Sequence, residues 1–117
     1  IQYTYARLKS ILRKSVDETK DSFPEGASLD TDERELLLHC VRIPETIQRV
    51  IDAWLPHLLV DHLFELAQAA NEFYHSHPIL TEQDKDKRRV LLMVVRAVTT
   101  TLARGLYLLG IDAPEEM

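Results

Sequence analysis

The chain has 117 residues and a formal net charge of −5, and 45% of its residues are apolar. This length predicts one domain that buries a hydrophobic core without covalent staples. The single cysteine, Cys40, excludes an internal disulfide framework and a multi-cysteine zinc site, and it fits a reducing compartment. Arg96 interrupts the longest apolar run, so we expect no membrane span, and the acidic balance argues against a non-specific nucleic-acid coat.

The first 20 residues carry one apolar stripe at helical spacing, formed by Ile1, Tyr5, Leu8, Leu12 and Val16. This stripe predicts an amphipathic helix that runs to about Lys20. The pattern is in register from the first residue, and no capping residue precedes it. We therefore expect residues 1–117 to be a single domain that forms the C-terminal fragment of a longer protein.

Residues 21–31 are polar and predict a loop. Asp30 and Glu33 then form a capping-box pattern, which predicts a short second helix through Val41. Pro44 fits a first helical position, where its missing N–H costs nothing, and predicts the start of a third helix. We expect the apolar face of that helix to consist of Ile47, Val50, Ile51 and Trp54.

Pro56 predicts the start of a fourth helix, which should end at His77-Pro78. Its expected core stripe is Leu59, Leu63, Leu66, Ala70 and Phe73.

The last helix is predicted to begin at a second capping-box pattern, formed by Thr81 and Asp84, and to end at Gly110. Its stripe is Leu91, Val95, Val98, Leu102, Leu106 and Leu109. Residues 90–95 are apolar all round, which predicts a helix through the centre of the core. Gly105 inside this helix predicts a close helix contact. Because no strand-like alternation appears, we predict an all-α bundle of about five helices.

The charge is distributed unevenly along the chain. Residues 1–20 carry five basic and two acidic groups, whereas residues 21–54 carry three basic and eight acidic groups. Residues 55–83 carry four acidic groups and no Lys or Arg. The positive charge is therefore concentrated on the first helix, and the acidity belongs to the middle of the chain.

One face of the first helix has a pattern suited to single-stranded RNA. At about 100° per residue, Tyr3, Arg7, Ser10 and Lys14 lie close together, opposite the apolar stripe. An exposed aromatic ring offers a stacking surface to a base, and neighbouring cations meet the phosphates. The alternative is an ordinary solvated face that happens to carry one exposed tyrosine.

The sequence shows no catalytic apparatus. His57 and His62 are five residues apart, which is off the spacing that places two metal ligands on one helical face, so we predict no metal site. Cys40 lies in an apolar turn and is predicted to be a core thiol rather than a nucleophile. There is no glycine-rich phosphate loop and no nucleophile elbow, so we predict no cofactor in this chain.

Three segments carry a family resemblance. They are QYTYARL at residues 2–8 with SILR at 10–13, the central run from Pro56-His57 to NEFY at 71–74, and GLYLLGI at 105–111 with APE at 113–115 and Met117. In this order, and over the whole chain, they resemble the C-terminal anticodon-binding domain, or DALR domain, of the arginyl-tRNA synthetases, which are class I enzymes. The first and last segments are specific in combination, whereas the middle one alone would be weak.

The resemblance implies an all-helical module that receives the anticodon stem-loop of arginine tRNA. In the family, the opening-helix tyrosine and the C-terminal methionine help to form the pocket in which the middle cytosine is read. In this sequence the matching positions are Tyr3 and Met117. The resemblance also implies that Arg7 contacts the RNA backbone or a base, and Lys14 lies on the same helix face as Tyr3 and Arg7. The resemblance further implies a catalytic domain on the same polypeptide, ATP bound there rather than here, a monomer, and a location in the cytoplasm.

Two positions depart from the family pattern. Tyr5 stands where the family commonly has His, and Glu116 stands where it commonly has Arg, which places an anion close to the expected RNA surface. Arg88 and Arg89 are assigned no role beyond phosphate contacts. Two alternative functions stay open: the related domain of another synthetase, such as the glycyl enzyme β subunit, and a helical adaptor that binds proteins through the Tyr3 face or the acidic middle.

Overall fold

Five α-helices and one 3₁₀ turn make up the regular structure of this computed structural model, which describes residues 1–15, 28–77 and 79–114. No strand occurs in these ranges, which confirms the predicted all-α fold. The helices are α1 (Gln2–Lys14), α2 (Thr31–Val41), α3 (Ile43–Ala53), α4 (His57–Ser76) and α5 (Lys85–Leu108), and the 3₁₀ turn is Ile79–Thr81.

Helix α1 begins as predicted and ends at Lys14, where the chain turns at Ser15. The continuation to Lys20, and most of the predicted loop, lie outside the described residues. Arg13 and Lys14 occupy the last turn, where positive charge is favourable beside the partial negative charge of a helix C-terminus.

The capping box at the start of α2 is confirmed. The Asp30 carboxylate accepts a hydrogen bond from the Glu33 backbone N–H at 2.9 Å, and the Asp30 N–H donates to the Glu33 carboxylate at 3.2 Å. Lys87 at the start of α5 contacts the same two carboxylates, with Glu33 completely buried. Its ammonium therefore compensates the buried charge and ties α2 to α5.

The prediction for the apolar face of α3 is wrong in part. Ile51 is 61% exposed and Trp54 is 88% exposed. The inward face is instead formed by Ile43, Thr46, Ile47 and Val50. This face repeats at i, i+3, i+4 and i+7, which leaves position 51 on the side of the helix, and the helix has already ended at Ala53.

Helices α4 and α5 form the centre of the molecule, and the predicted α4 stripe is buried. A Cβ at Gly105 would lie 2.5 Å from a terminal methyl of Leu63, so the expected close contact of α5 is confirmed. The start of α4 therefore meets the end of α5. At the opposite end of the bundle, His77 follows α4 and lies 3.9 Å from Asp30, which Lys87 of α5 also contacts. The two helices are antiparallel.

The start of α5 differs from the prediction. Asp84 is the N-cap of the helix, because its carboxylate accepts hydrogen bonds from the N–H groups of Asp86 and Lys87 at 3.0 and 3.3 Å. Thr81 belongs to the 3₁₀ turn before it. Aspartate needs no reciprocal partner to satisfy the free N–H groups of a helix start.

Helix α5 is the core helix that residues 90–95 predicted. By length and composition it would be apolar enough to cross a membrane, but 56% of its most apolar window is buried inside the bundle. Core helices of globular proteins share these properties, so this observation is weak evidence for a membrane segment.

Gly110 ends α5 as predicted. It has a φ of 75°, its N–H donates to the Tyr107 carbonyl at 3.0 Å, and the Ile111 N–H donates to the Leu106 carbonyl at 2.9 Å. This pattern is a Schellman motif, whose left-handed residue suits glycine. It turns the chain out of α5 towards the beginning of α1.

Candidate nucleic-acid interface

The outward face of α1 carries the residues that the sequence placed there. Tyr3 is 62% exposed, Lys14 is exposed, and Arg7 and Ser10 are half-buried. The opposite side of the helix is buried in the core through Tyr5, Leu8 and Ile11. At 1.5 Å of rise per residue, the face from Tyr3 to Lys14 is about 16 Å long. An aromatic ring and two cations thus lie along one accessible surface.

Arg7 is held in place by an aromatic residue of α4. Its guanidinium carbon lies 4.6 Å from the centroid of the Tyr74 ring, which is a cation–π contact. Stacking uses the flat face of the guanidinium and leaves its N–H edges able to donate. The sequence included Tyr74 in a family segment but gave it no role, because its proximity to Arg7 depends on how α1 packs against α4.

Two further contacts fix the beginning of α1. The Asn71 side-chain amide of α4 donates to the Thr4 hydroxyl at 3.1 Å, and Thr4 is buried. On the other side, the Gln2 amide donates to the backbone carbonyl of Asp112 at 2.7 Å. Tyr3 is therefore carried by a helical turn that is tied both to α4 and to the residues after α5.

A second surface, between α2 and α4, is acidic. A cavity of about 190 Å³ between α2 and α4 is lined by Asp32, Glu35 and Glu72, together with His39 and apolar side chains. The segment that contains α4 has no Lys or Arg. Phosphates are repelled by such a surface, so the charge distribution leaves α1 as the better side for RNA.

His62 and Cys40 have structural contacts. His62 hydrogen-bonds through its two ring nitrogens to the Thr46 hydroxyl and the His39 carbonyl, at 2.6 and 2.8 Å. Cys40 is half-buried against the core, and burial raises the pKa of its thiol. Within residues 1–15, 28–77 and 79–114, no three His, Cys, Asp or Glu side chains are grouped so that they could hold a metal ion.

The family model described as the DALR anticodon binding domain matches residues 1–117. The chain belongs to this family.

The DALR domain is similar to curated arginine–tRNA ligases. It is 37% identical over 117 residues to that of Ignicoccus hospitalis and 39% identical to that of Enterococcus faecalis, and in each case all of this chain is covered. Among solved structures it resembles Thermus thermophilus arginyl-tRNA synthetase, with a TM-score of 0.86, 34% identity and 99% of this chain covered. The chain spans about a fifth of the length of these proteins, between 18% and 20%.

The structure locates some of the family-derived positions of this DALR domain. Tyr5, the departure from the common His, is 7% exposed and belongs to the core, so it lies on the side of α1 away from Tyr3. Arg88 and Arg89 are half-buried in the first turns of α5. Met117 and Glu116 lie outside the described residues. The candidate interface among the described residues therefore consists of the α1 face and Tyr74.

Proposed function

We propose that this DALR domain binds the anticodon stem-loop of arginine tRNA as part of an arginine–tRNA ligase. The observation that carries the proposal is Tyr3, which is 62% exposed on the cationic side of α1 in a domain of this family. An exposed ring beside cations offers a stacking face to an unstacked base, and the cations can meet its phosphates. The arginine–tRNA ligases among the relatives favour arginine tRNA over the tRNA of the glycyl enzyme.

The α1 face can engage a loop of single-stranded RNA by two interactions. A base that unstacks from the loop can stack on Tyr3, which is worth about 1–3 kcal/mol per base in other RNA-binding proteins. Lys14 and the N–H edges of Arg7 can meet the phosphates on either side. Because Tyr74 already holds Arg7, little side-chain freedom is lost when the RNA binds.

The rest of the polypeptide is proposed to supply the chemistry. We expect ATP and arginine to bind there, and this domain to contribute affinity and choice of tRNA. Met117 is proposed to complete the pocket beside Tyr3. We further propose that the whole enzyme works as a monomer in the cytoplasm.

The test is a titration of the domain with the anticodon stem-loop of arginine tRNA and with a variant whose middle cytosine is replaced by uracil. We expect the replacement to weaken binding about tenfold, the loss of roughly 1.4 kcal/mol of base recognition. Equal affinity for both stem-loops would contradict base recognition by this domain. Absence of binding to either would instead favour the protein-adaptor alternative.

The contribution of Tyr3 is tested by Tyr3→Ala, which we expect to weaken binding of the cognate stem-loop by a factor of about 5–150, the loss of a stacked base. Trp54→Gly is the control, since it removes another exposed aromatic ring at the position that follows α3. Equal effects of the two variants would show that Tyr3 is not a stacking platform.

A further inference from the structure

Phe64 of α4 is an aromatic residue outside the core. Its side chain is 53% exposed, although Leu63 and Leu66 beside it are completely buried. At about 100° per residue, Phe64 and Asn71 lie within about 20° of each other on the wheel of α4. Because the Asn71 amide donates a hydrogen bond to Thr4 of α1, Phe64 lies on the flank of α4 that faces α1.

Phe64 lies just past the beginning of α1. Thr4 contacts Asn71 of α4. Three residues further along each helix, Arg7 contacts Tyr74. The two helices therefore run parallel, and α1 begins level with about residue 68 of α4. Phe64 is about one helical turn before that level, which explains why its ring is exposed on a flank that α1 otherwise occupies.

This position places Phe64 next to the proposed RNA surface. Tyr3 belongs to the same first turn of α1 as Thr4, and its ring is 62% exposed. By the pairing of the two helices, Tyr3 is level with about residue 70 of α4, which is about 9 Å along the helix axis from Phe64. Two exposed aromatic rings thus lie on either side of the place where the beginning of α1 meets α4.

The charge around Phe64 suits a base better than a phosphate. Asp61 lies three residues before it on the same side of α4, and residues 55–83 contain no Lys or Arg. A carboxylate repels phosphate, whereas an aromatic ring can stack on the flat face of a base. Phe64 therefore differs from the α1 face, which combines a ring with cations.

We propose that Phe64 is a second stacking platform for the RNA loop, which takes an unpaired base other than the base on Tyr3. The proposal rests on the function proposed above, and it adds a contact that involves no phosphate. Every base has a flat face, so stacking tolerates different bases. Phe64 should therefore contribute affinity with little preference for one base.

The test is a titration of the 117-residue chain with the cognate anticodon stem-loop. Phe64→Leu keeps an apolar side chain and removes the ring, and we expect it to weaken binding by at least about fivefold. Phe64→Tyr keeps the ring and should bind like the wild type. Val60→Ala is the matched control, because Val60 is an apolar residue one turn earlier on the same flank and is 39% exposed. We expect its affinity to be unchanged.

Two further measurements distinguish a stacked base from other roles of the ring. The slope of log K against log salt should be the same for Phe64→Leu as for the wild type, because stacking on an uncharged ring releases no counterions. The fold-losses caused by Tyr3→Ala and Phe64→Leu should multiply in the double variant, since each ring takes its own base.

Wild-type affinity of Phe64→Leu, or a changed salt slope, would overturn the proposal. Equal losses from Phe64→Leu and Val60→Ala would also overturn it, since the flank would then act as an apolar docking surface. A double variant that binds no more weakly than Tyr3→Ala would mean that both rings hold the same base. Failure of the proposed function is read separately, from the wild type alone, as equal affinity for the cognate and the uracil-substituted stem-loops.

Discussion

Trp54 has a left-handed backbone conformation, with a φ of 57°, and a side chain that is 88% exposed. It occupies the position after α3 at which helices commonly have glycine, because a Cβ there is crowded by the neighbouring carbonyl. We expect Trp54→Gly to raise the free energy of unfolding by about 1 kcal/mol, since little buried surface is lost. Urea denaturation measures this change. A lower stability would mean that the indole ring packs on the bundle in solution.

Asp30 makes the stability of the fold sensitive to acid. The hydrogen bond from the Glu33 N–H lowers the pKa of the Asp30 carboxyl, and the neighbouring Lys87 and His77 lower it further against the opposing effect of burial. A carboxyl with a lowered pKa in the folded state stabilises the fold above its unfolded pKa of 3.8, and this contribution is lost as the pH falls through the folded pKa.

We therefore expect the free energy of unfolding to fall below about pH 4, and to fall less steeply in Asp30→Asn. Asparagine keeps the cap of α2 but carries no titratable charge. The free energy of unfolding of both proteins is measured by denaturation between about pH 2 and about pH 7, a range that includes the carboxyl pKa. Parallel curves for both would contradict the assignment of this acid sensitivity to Asp30.

At the scale of the elements, the contact between α4 and α5 depends on the absence of a side chain at Gly105. A Cβ there would lie 2.5 and 2.6 Å from the two terminal methyls of Leu63, which is completely buried. Alanine is worth about 1 kcal/mol more than glycine in a helix, but overpacking a core costs about 1–3 kcal/mol. We expect Gly105→Ala to destabilise the protein, as measured by thermal unfolding.

A second substitution identifies the cause. In Leu63→Ala the space beside position 105 is open, so Gly105→Ala should cost less there than in the wild type, or should stabilise. Thr100→Ala, at an exposed position of α5, controls for helix propensity. Additive effects of Gly105→Ala and Leu63→Ala would contradict the packing explanation.

The elements that local signals determine were predictable. The capping box of Asp30 and Glu33, the stripe of α4 and the glycine end of α5 each depend on residues within a few positions of one another. On α3 the four apolar residues of the predicted face cover a wider arc of the helix than the part that packs against the core. Only the orientation of α3 against α2 and α4 determines that Ile51 is exposed. Periodicity does not contain this information.

Part of the candidate site was likewise predictable from the sequence, and part was not. The wheel of α1 placed Tyr3, Arg7 and Lys14 on one outward face, because the apolar stripe of the same helix defines the inward one. The contact of Arg7 with Tyr74 and the hydrogen bond from Gln2 to Asp112 join residues 67 and 110 positions apart. Such contacts follow from tertiary packing, which no pattern within one helix specifies.

For the whole molecule, the net charge of −5 conceals a separation of charge, with cations on α1 and acids on α2 to α4. Two or three phosphate contacts predict a shallow salt dependence of RNA binding, with a slope of log K against log salt of about −2. We expect Lys14→Ala to reduce the magnitude of this slope by about 0.7 and to weaken binding of all stem-loops equally.

Arg49→Ala is the matched control, because Arg49 is an exposed cation on α3, away from the proposed interface. Its slope should equal that of the wild type. If Arg49→Ala lowers the magnitude of the slope and Lys14→Ala does not, the RNA binds near α3 rather than on the α1 face, which would contradict the proposal.

The central claim, that RNA binds to the α1 face, is tested most directly by a residue-resolved footprint. Amide chemical shifts of the ¹⁵N-labelled chain are followed while the cognate anticodon stem-loop is added. We predict that the changes concentrate on α1 around Tyr3 and Arg7, at Tyr74 and in residues 111–114 after α5, with α3 unaffected. Changes centred on α3 and the acidic cavity between α2 and α4, with α1 unaffected, would contradict the account.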